Sequence, residues 1–173
     1  EDARALLDEQ IAANPKALNA RLLKAEQLEK ANEFDASIAI YEELYAEDSD
    51  NIVVANNLAS LLATHRDDDA SLERAYSVAR RLRGAEIPPM QDTYGWIEYR
   101  RGNAEEAVKY LEPAAAALKD DPLVQYHLGV ALMAVDRTGE AREALQRAIE
   151  VGGDAPLPQL DHARTLLDEL GTE

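Results

Sequence analysis

Residues 94–114, YGWIEYRRGNAEEAVKYLEPA, and residues 128–148, LGVALMAVDRTGEAREALQRA, lie in one stretch, 88–151, that states the same pattern twice. Tyr94-Gly95 recurs as Leu128-Gly129, Ala107 as Ala141, Leu111 as Leu145 and Ala114 as Ala148, each 34 residues on. Within each copy the small residues fall 12 apart, Gly95 to Ala107 and Gly129 to Ala141. A fixed period of this size, with no strand-like alternation inside it, marks an array of helix pairs. Two antiparallel helices joined by a short turn pack closely only where both carry a small side chain at the crossing, and these pairs supply it. Leu111 and Leu145 then fill the space toward the next repeat, while Ala114 and Ala148 admit the following helix. One such hairpin leaves a face unburied, so stacked neighbours must close the core.

Working outward, the same rhythm predicts an all-α chain that forms one domain over residues 1–173. Residues 2–13 read as an amphipathic helix with Ala3, Leu7 and Ile11 on one face, stopped near Asn14-Pro15. It aligns with the second helix of a repeat, which leads one to expect further repeats upstream. The opening Glu1-Asp2, with neither methionine nor leader, also reads as an excised segment. Residues 17–30 and 34–47 form the first full pair, with Ala25 and Ser37 as its small residues, Leu28, Phe34, Tyr41 and Leu44 as packing residues, and Asn32 in the turn. Residues 51–64 and 71–83 form the second pair, where the rhythm breaks. Ala59 to Ala75 is 16 rather than 12, which places four extra residues in the turn 65–70. Ala75 to Gly95 is 20, against 22 for Ala107 to Gly129, and Pro88-Pro89 is expected to end the helix. Residues 90–101 and 104–118 form the third pair, with a bend at Pro113. Residues 122–135 and 138–150 form the fourth, stopped at Gly152-Gly153, and a closing helix, 157–170, presents Asp161, Asp168 and Glu169 to solvent.

Composition narrows the function. The chain carries 18 Lys and Arg against 34 Asp and Glu, a net charge of −16, so nucleic acid and anionic lipid are repelled overall. It has no cysteine, which excludes disulfides and thiolate chemistry. No apolar run approaches the ~20 residues of a membrane span, so direct membrane insertion is not expected. No phosphate-cradling glycine loop or nucleophile motif is present. His65, His127 and His162 lie far apart in sequence. His127 and His162 fall on successive first helices, with no third ligand at metal spacing. Asp67-Asp68-Asp69 lacks the alternation and glycine of a calcium loop and reads as a solvated insertion. The reading is therefore non-catalytic, with no cofactor and no metal.

The 34-residue unit, the small residues 12 apart and Phe34-Asp35-Ala36-Ser37 resemble the tetratricopeptide repeat (TPR), across the whole chain. Lys24 and Glu98 depart from its usual residues, an apolar one and an aromatic. The resemblance implies a right-handed superhelical solenoid of one orphan helix, four pairs and a capping helix, with a concave groove lined by the first helix of each pair. Carried over by position, the groove residues are Leu22 and Glu26, then Asn56, Asn57 and Ser60. Next come Trp96, Tyr99 and Arg100, then Tyr126, His127, Val130 and Met133. Its implied partner is a protein or peptide, held by asparagine amides and by aromatic surface with polar handles. The competing reading of the aromatics is packing between repeats. Asp92 and Thr93 stand where the chaperone-tail clamp of the family needs basic residues, so that clamp is rejected.

The stretch Tyr94–Gly102, with Asn56-Asn57-Leu58-Ala59 upstream, also resembles the C-terminal repeats of large bacterial TPR proteins, some of them periplasmic lipoproteins tied to exopolysaccharide production and export. That likeness implies a structural or self-associating segment of a larger bacterial protein, cytoplasmic or periplasmic. Residues 1–50 hold 13 acids and 5 bases, residues 51–100 hold 7 and 6, with Arg80, Arg81, Arg83, Arg100 and Arg101 in or beside the latter stretch. A basic middle could meet an acidic patch on a partner or on a second copy, giving a homo-oligomer; otherwise it is a solvated face.

Overall fold

The structure, a computed structural model, describes residues 2–171, and side chains from residue 5 onward, so the expectation for the Ala3 side chain lies outside the described residues. Ten α-helices follow one another: α1 (Asp2–Ala13), α2 (Leu18–Lys30), α3 (Phe34–Glu47), α4 (Ile52–His65), α5 (Asp69–Ala79), α6 (Pro88–Arg100), α7 (Ala104–Ala117), α8 (Pro122–Met133), α9 (Thr138–Gly152) and α10 (Pro158–Gly171). A short 3-10 turn, Arg80–Leu82, follows α5. Among the described residues there is no strand. The chain divides into two compact units, one ending at Arg81 and the other starting at Leu82. The division falls where the 34-residue rhythm is two residues short.

In the N-terminal unit each helix packs against the next. Ala25 and Ser37 are fully buried at the α2–α3 crossing, as are Ala59 and Ala75 in α4 and α5. Tyr41, Leu58 and Val78 complete the dry interior. The α2–α3 turn closes at Asn32, whose φ of 58° is left-handed, while the Glu33 amide donates to the Leu28 carbonyl at 2.8 Å. Asparagine tolerates this conformation better than most residues with a Cβ. Lys24, in place of an apolar residue, turns outward to Asp8 at 2.5 Å.

The four extra residues do not enlarge the α4–α5 turn. Only residues 66–68 separate the helices, the same three-residue spacing as at 31–33 and 101–103. Instead α4 runs on to His65 and α5 starts early at Asp69, capped by the Asp68 carboxylate, which accepts from the Ser71 amide at 2.9 Å. Adding helix satisfies backbone groups that a longer loop would leave to solvent. Phe34 and His65 stack across this corner with ring centroids 3.5 Å apart, and burial pulls the His65 imidazole below its usual range. Arg66 and Asp35 pair beside them at 2.9 Å.

In the C-terminal unit Pro88 and Pro89 open α6 rather than close the helix before it. Proline suits the first helical turn, where its missing N–H is not needed. Gly95 lies against Leu111 as well as Ala107, and Gly129 against Leu145: a Cβ on Gly95 would sit 2.7 Å from Leu111 Cγ, and one on Gly129 equally close to Leu145 Cγ and Cδ2. Glu98, polar where an aromatic is usual, is buried and closes the α6–α7 turn, accepting from Asn103 Nδ2 at 2.7 Å with Arg101 3.5 Å away. Helix α7 continues through Pro113 to Ala117. Its C-terminal end is held by a side chain from the next helix: buried Gln125 Nε2 donates to the carbonyls of Ala115 at 2.9 Å and Leu118 at 3.2 Å. Helix α8 is capped by Asp121, which accepts from the amides of Leu123 and Val124. Leu145, Leu160 and Ala163 are fully buried where α8, α9 and α10 meet.

Candidate binding site

The first helices of the two units present different chemistry, and each unit stands by itself. In the N-terminal unit, Val53, Asn56, Asn57 and Ser60 share one face of α4 at spacings of three, four and seven. Asn56 and Asn57 are half-buried and joined into a directed chain. Asn56 Nδ2 donates to Asn57 Oδ1 at 3.3 Å, and Asn57 Nδ2 donates to the Tyr41 hydroxyl at 3.0 Å. Tyr41 in turn hydrogen-bonds to the Glu29 carboxylate, which also accepts from Ser37 Oγ at 3.3 Å. Burial lifts the Glu29 carboxyl above its ordinary range, and neighbouring Glu26 pushes the same way against the bonds from Tyr41 and Ser37. Burial together with the Glu29 charge carries the Tyr41 hydroxyl well above the usual tyrosine range. The chain ends on Asn56 Oδ1, which is buried and has no hydrogen-bond partner among the described residues. Leu22 is half-buried on α2 and Glu26 is exposed.

In the C-terminal unit an aromatic cluster assembles from α6, α8 and α10. Trp96 stacks on His127 at 4.1 Å and on Tyr99 at 5.2 Å, with Tyr126 tilted against it at 6.1 Å. His127 Nδ1 meets Asp92 Oδ1 at 2.9 Å, and the Tyr126 hydroxyl meets His162 Nδ1 at 2.7 Å. Burial, with the nearby Tyr99 adding to it, pushes the Tyr126 hydroxyl up to about 12. Tyr126, His127 and Val130 are buried, so their surface goes mainly to packing. Trp96, Tyr99 and Arg100 are half-buried and border an open depression with Gly102, Ala104 and Ala134. Met133 is half-buried and packs on two of the core clusters of the unit. The Trp96 indole N–H is buried without an acceptor among the described residues.

Sequence spacing did not expose these groupings. Glu29, Tyr41 and Ser37 lie on α2 and α3 and reach Asn57 only through tertiary packing. Asp92 figured in the sequence reading only as a residue unsuited to a basic clamp, and nothing in its spacing paired it with His127. Two arginines of the basic middle, Arg81 and Arg83, have side-chain partners, as does neighbouring Arg74. Arg74 forms a two-pronged pair with Glu42, and Arg81 reaches Asp50, Ser49 and the Tyr45 hydroxyl. Arg83 hydrogen-bonds to Tyr110, which holds its guanidinium above the usual range. Among the described residues no group of three or more His, Asp or Glu is placed to hold a metal ion, and no helix is long and apolar enough to cross a membrane.

Two sequence profiles described as tetratricopeptide repeat match the chain, one over residues 1–52 and the other over residues 98–167. No curated protein matches it in sequence. Among solved structures, TTC0263, a thermophilic TPR protein of Thermus thermophilus, is similar at 20% identity and a TM-score of 0.68, over 98% of this chain and 89% of that one. MamA AMB-1 is similar at 17% identity and a TM-score of 0.64, over 89% and 90%. YrrB, described as a TPR protein with an unusual peptide-binding site, is similar at 17% identity and a TM-score of 0.57, over 92% and 97%. The repeat spacing, the all-helical fold and both profile matches agree: this chain belongs to the tetratricopeptide-repeat family, an architecture of protein–protein interaction scaffolds.

Proposed function

We propose that this protein is a non-catalytic scaffold whose first-helix faces hold an extended or helical segment of a partner protein. The observation that carries the reading is Trp96 with Tyr99: half-exposed aromatics at the edge of an open depression, braced from behind by buried His127. Rigid amphipathic rings presented in this way are typical anchors of interfaces. The asparagines of α4 give the N-terminal unit polar groups suited to a peptide main chain. YrrB, of the same fold, is described as having a peptide-binding site, which adds support from fold alone. The test is a peptide-library titration followed by the emission of Trp96, the one tryptophan of the chain. Peptides that shift the emission should bind at least tenfold more weakly to Tyr99→Ala, and to Trp96→Ala measured by anisotropy of the labelled peptide. Unchanged affinity in both variants rejects this face as the site.

Self-association through a basic middle and an acidic N-terminal region is the weaker reading. Arg66, Arg74 and Arg81 are each held by carboxylates of their own unit, which neutralises much of the charge contrast internally. Light scattering at two protein concentrations tests it, and a concentration-independent monomer rejects it.

A further inference from the structure

Each unit carries the same framework between two second helices, α3 with α5 and α7 with α9, and fills it differently. Aligned on Ser37 and Ala107, Tyr45 of α3 corresponds to Ala115 of α7. Aligned on Ala75 and Ala141, Arg74, Val78 and Arg81 correspond to Glu140, Ala144 and Arg147. The ion pairs agree with this register: Arg81 meets Asp50 at 3.1 Å, and Arg147 meets the matching Asp120 at 2.9 Å. In neither unit do the two helices touch, with no Cα of one within 8 Å of the other. Tyr45 closes the gap in the N-terminal unit. It is buried, the guanidinium carbons of Arg74 and Arg81 lie 5.3 and 5.6 Å from its ring centre, and its hydroxyl accepts from Arg81 Nε at 2.8 Å. Arginine against an aromatic face and a charge-assisted hydrogen bond hold such a ring in place.

Ala115 offers no such side chain, and in the C-terminal unit a groove of about 330 Å³ stays open, lined by Ala115, Leu128, Leu132, Ala144 and Arg147. Leu128 is only half-buried there, whereas its counterpart Leu58 is fully buried. Gln125, in the place of Ala55, takes some of the space but directs Nε2 to the carbonyls of Ala115 and Leu118, and the groove remains. Arg147 Nε, with no hydroxyl to meet, donates to the Lys119 carbonyl at 3.3 Å, longer than a good N–H···O bond. The rim has also changed sign. Glu42, Arg74 and Ser77 of the N-terminal unit become Glu112, Glu140 and Glu143, all bordering the groove, and Glu112 and Glu140 share Arg137.

We propose that the α7–α9 groove is a second binding surface, which takes a tyrosine side chain from a partner protein, flanked in its own chain by lysine or arginine. The groove shares no residue with the depression beside Trp96 and goes beyond the first-helix reading. The ring occupies the place that Tyr45 fills in the other unit and covers Leu128. Its hydroxyl accepts from Arg147, and the basic flanks meet Glu140 and Glu143. A ring buried in a preformed slot anchors the segment, and the acidic rim selects its charge.

The test uses the full chain and fluorescein-labelled peptides read by anisotropy: a tyrosine between lysine pairs, the same peptide with alanine or phenylalanine for tyrosine, and a tyrosine between glutamate pairs. The lysine-flanked tyrosine peptide should bind about tenfold more tightly than the alanine and glutamate peptides, as expected of a buried aromatic anchor. Ala115→Tyr returns the missing ring to the chain itself and should abolish that binding, with circular dichroism confirming the helices. Arg147→Met should remove the advantage of tyrosine over phenylalanine, and Glu140→Gln with Glu143→Gln the advantage of lysine flanks over glutamate. Trp96→Ala should leave the tyrosine peptide bound as before. Equal binding of the tyrosine and alanine peptides, or of the two flanks, overturns the proposal, as does binding by none. Undiminished binding to a folded Ala115→Tyr overturns the groove. Should that variant unfold, Arg147→Met decides, and a retained preference for tyrosine over phenylalanine rejects the site. A loss in Trp96→Ala would move the binding to the first-helix face, so the two readings fail separately.

Discussion

Trp96 and His127 lie on successive first helices, and their rings stack with centroids 4.1 Å apart and planes 18° from parallel. Behind them Asp92 holds the imidazole at 2.9 Å, so the indole rests on a ring that is itself oriented by a carboxylate. The half-buried indole is therefore braced from inside the unit.

Removing that support should be visible from both sides. His127→Ala takes away the stacking partner and leaves Asp92 a carboxylate with a lost bond, at a cost of about 2–3 kcal/mol. The expected result is a lower urea midpoint followed by Trp96 emission, with that emission shifted to the red in the folded state. An unchanged spectrum would mean that the stack does not persist in solution.

Two glycine substitutions should move stability in opposite directions. Gly129→Ala drives a Cβ to within 2.7 Å of Leu145, which is fully buried and held on all sides, and overpacking of this kind costs about 1–3 kcal/mol. Gly139→Ala, near the start of α9, meets nothing within 4 Å and needs no left-handed backbone, so the loss of chain entropy in the unfolded state should stabilise by about 0.4–1 kcal/mol. Thermal unfolding of both variants checks the pair. A destabilised Gly139→Ala would show that the helix start is not free.

Gln125 serves α7 rather than its own helix. Gln125→Leu keeps the volume but abandons the carbonyls of Ala115 and Leu118, and a lost cap on buried acceptors costs about 1–3 kcal/mol. Amide exchange should rise in the last turn of α7 before it rises elsewhere. Uniform exchange across α7 would count against this role.

The raised Glu29 carboxyl makes the N-terminal unit sensitive to pH in a definite sense. Burial favours its protonated form in the folded state, so the folded group binds its proton more tightly than the unfolded one. The contribution is fully present below the ordinary value of 4.5 and is lost as pH rises through the higher folded value. Glu29→Gln removes this dependence. Urea midpoints by circular dichroism, taken from pH 4 to pH 7, should therefore fall more steeply in the wild type than in the variant. Parallel curves would rule it out.

Several of these features were legible in the residues and several were not. The 34-residue recurrence of Gly95, Ala107 and Leu111 requires helix pairs, because only a small residue on each side of a crossing lets two backbones approach, and that is a matter of side-chain size. Asn32 at the turn follows from local backbone preference. The extra residues before Ala75 were visible as a count, but their place was not. Whether they loop out or lengthen the helices depends on Asp68 capping α5 and on Phe34 meeting His65, a contact across the corner. Pro88-Pro89, expected to end a helix, instead begins α6, because proline suits the first helical turn and nothing local distinguishes that place from the end of the helix before it.

By itself the sequence determined the array: periodicity and residue size are local properties that repeat along a chain. The tertiary structure alone decided the sites. It joined Glu29 to Asn57 through Tyr41, set Asp92 against His127, and left Asn56 Oδ1 and the Trp96 N–H without partners among the described residues. Hydrogen-bond satisfaction depends on which side chains meet across different helices, and no spacing within one helix encodes that.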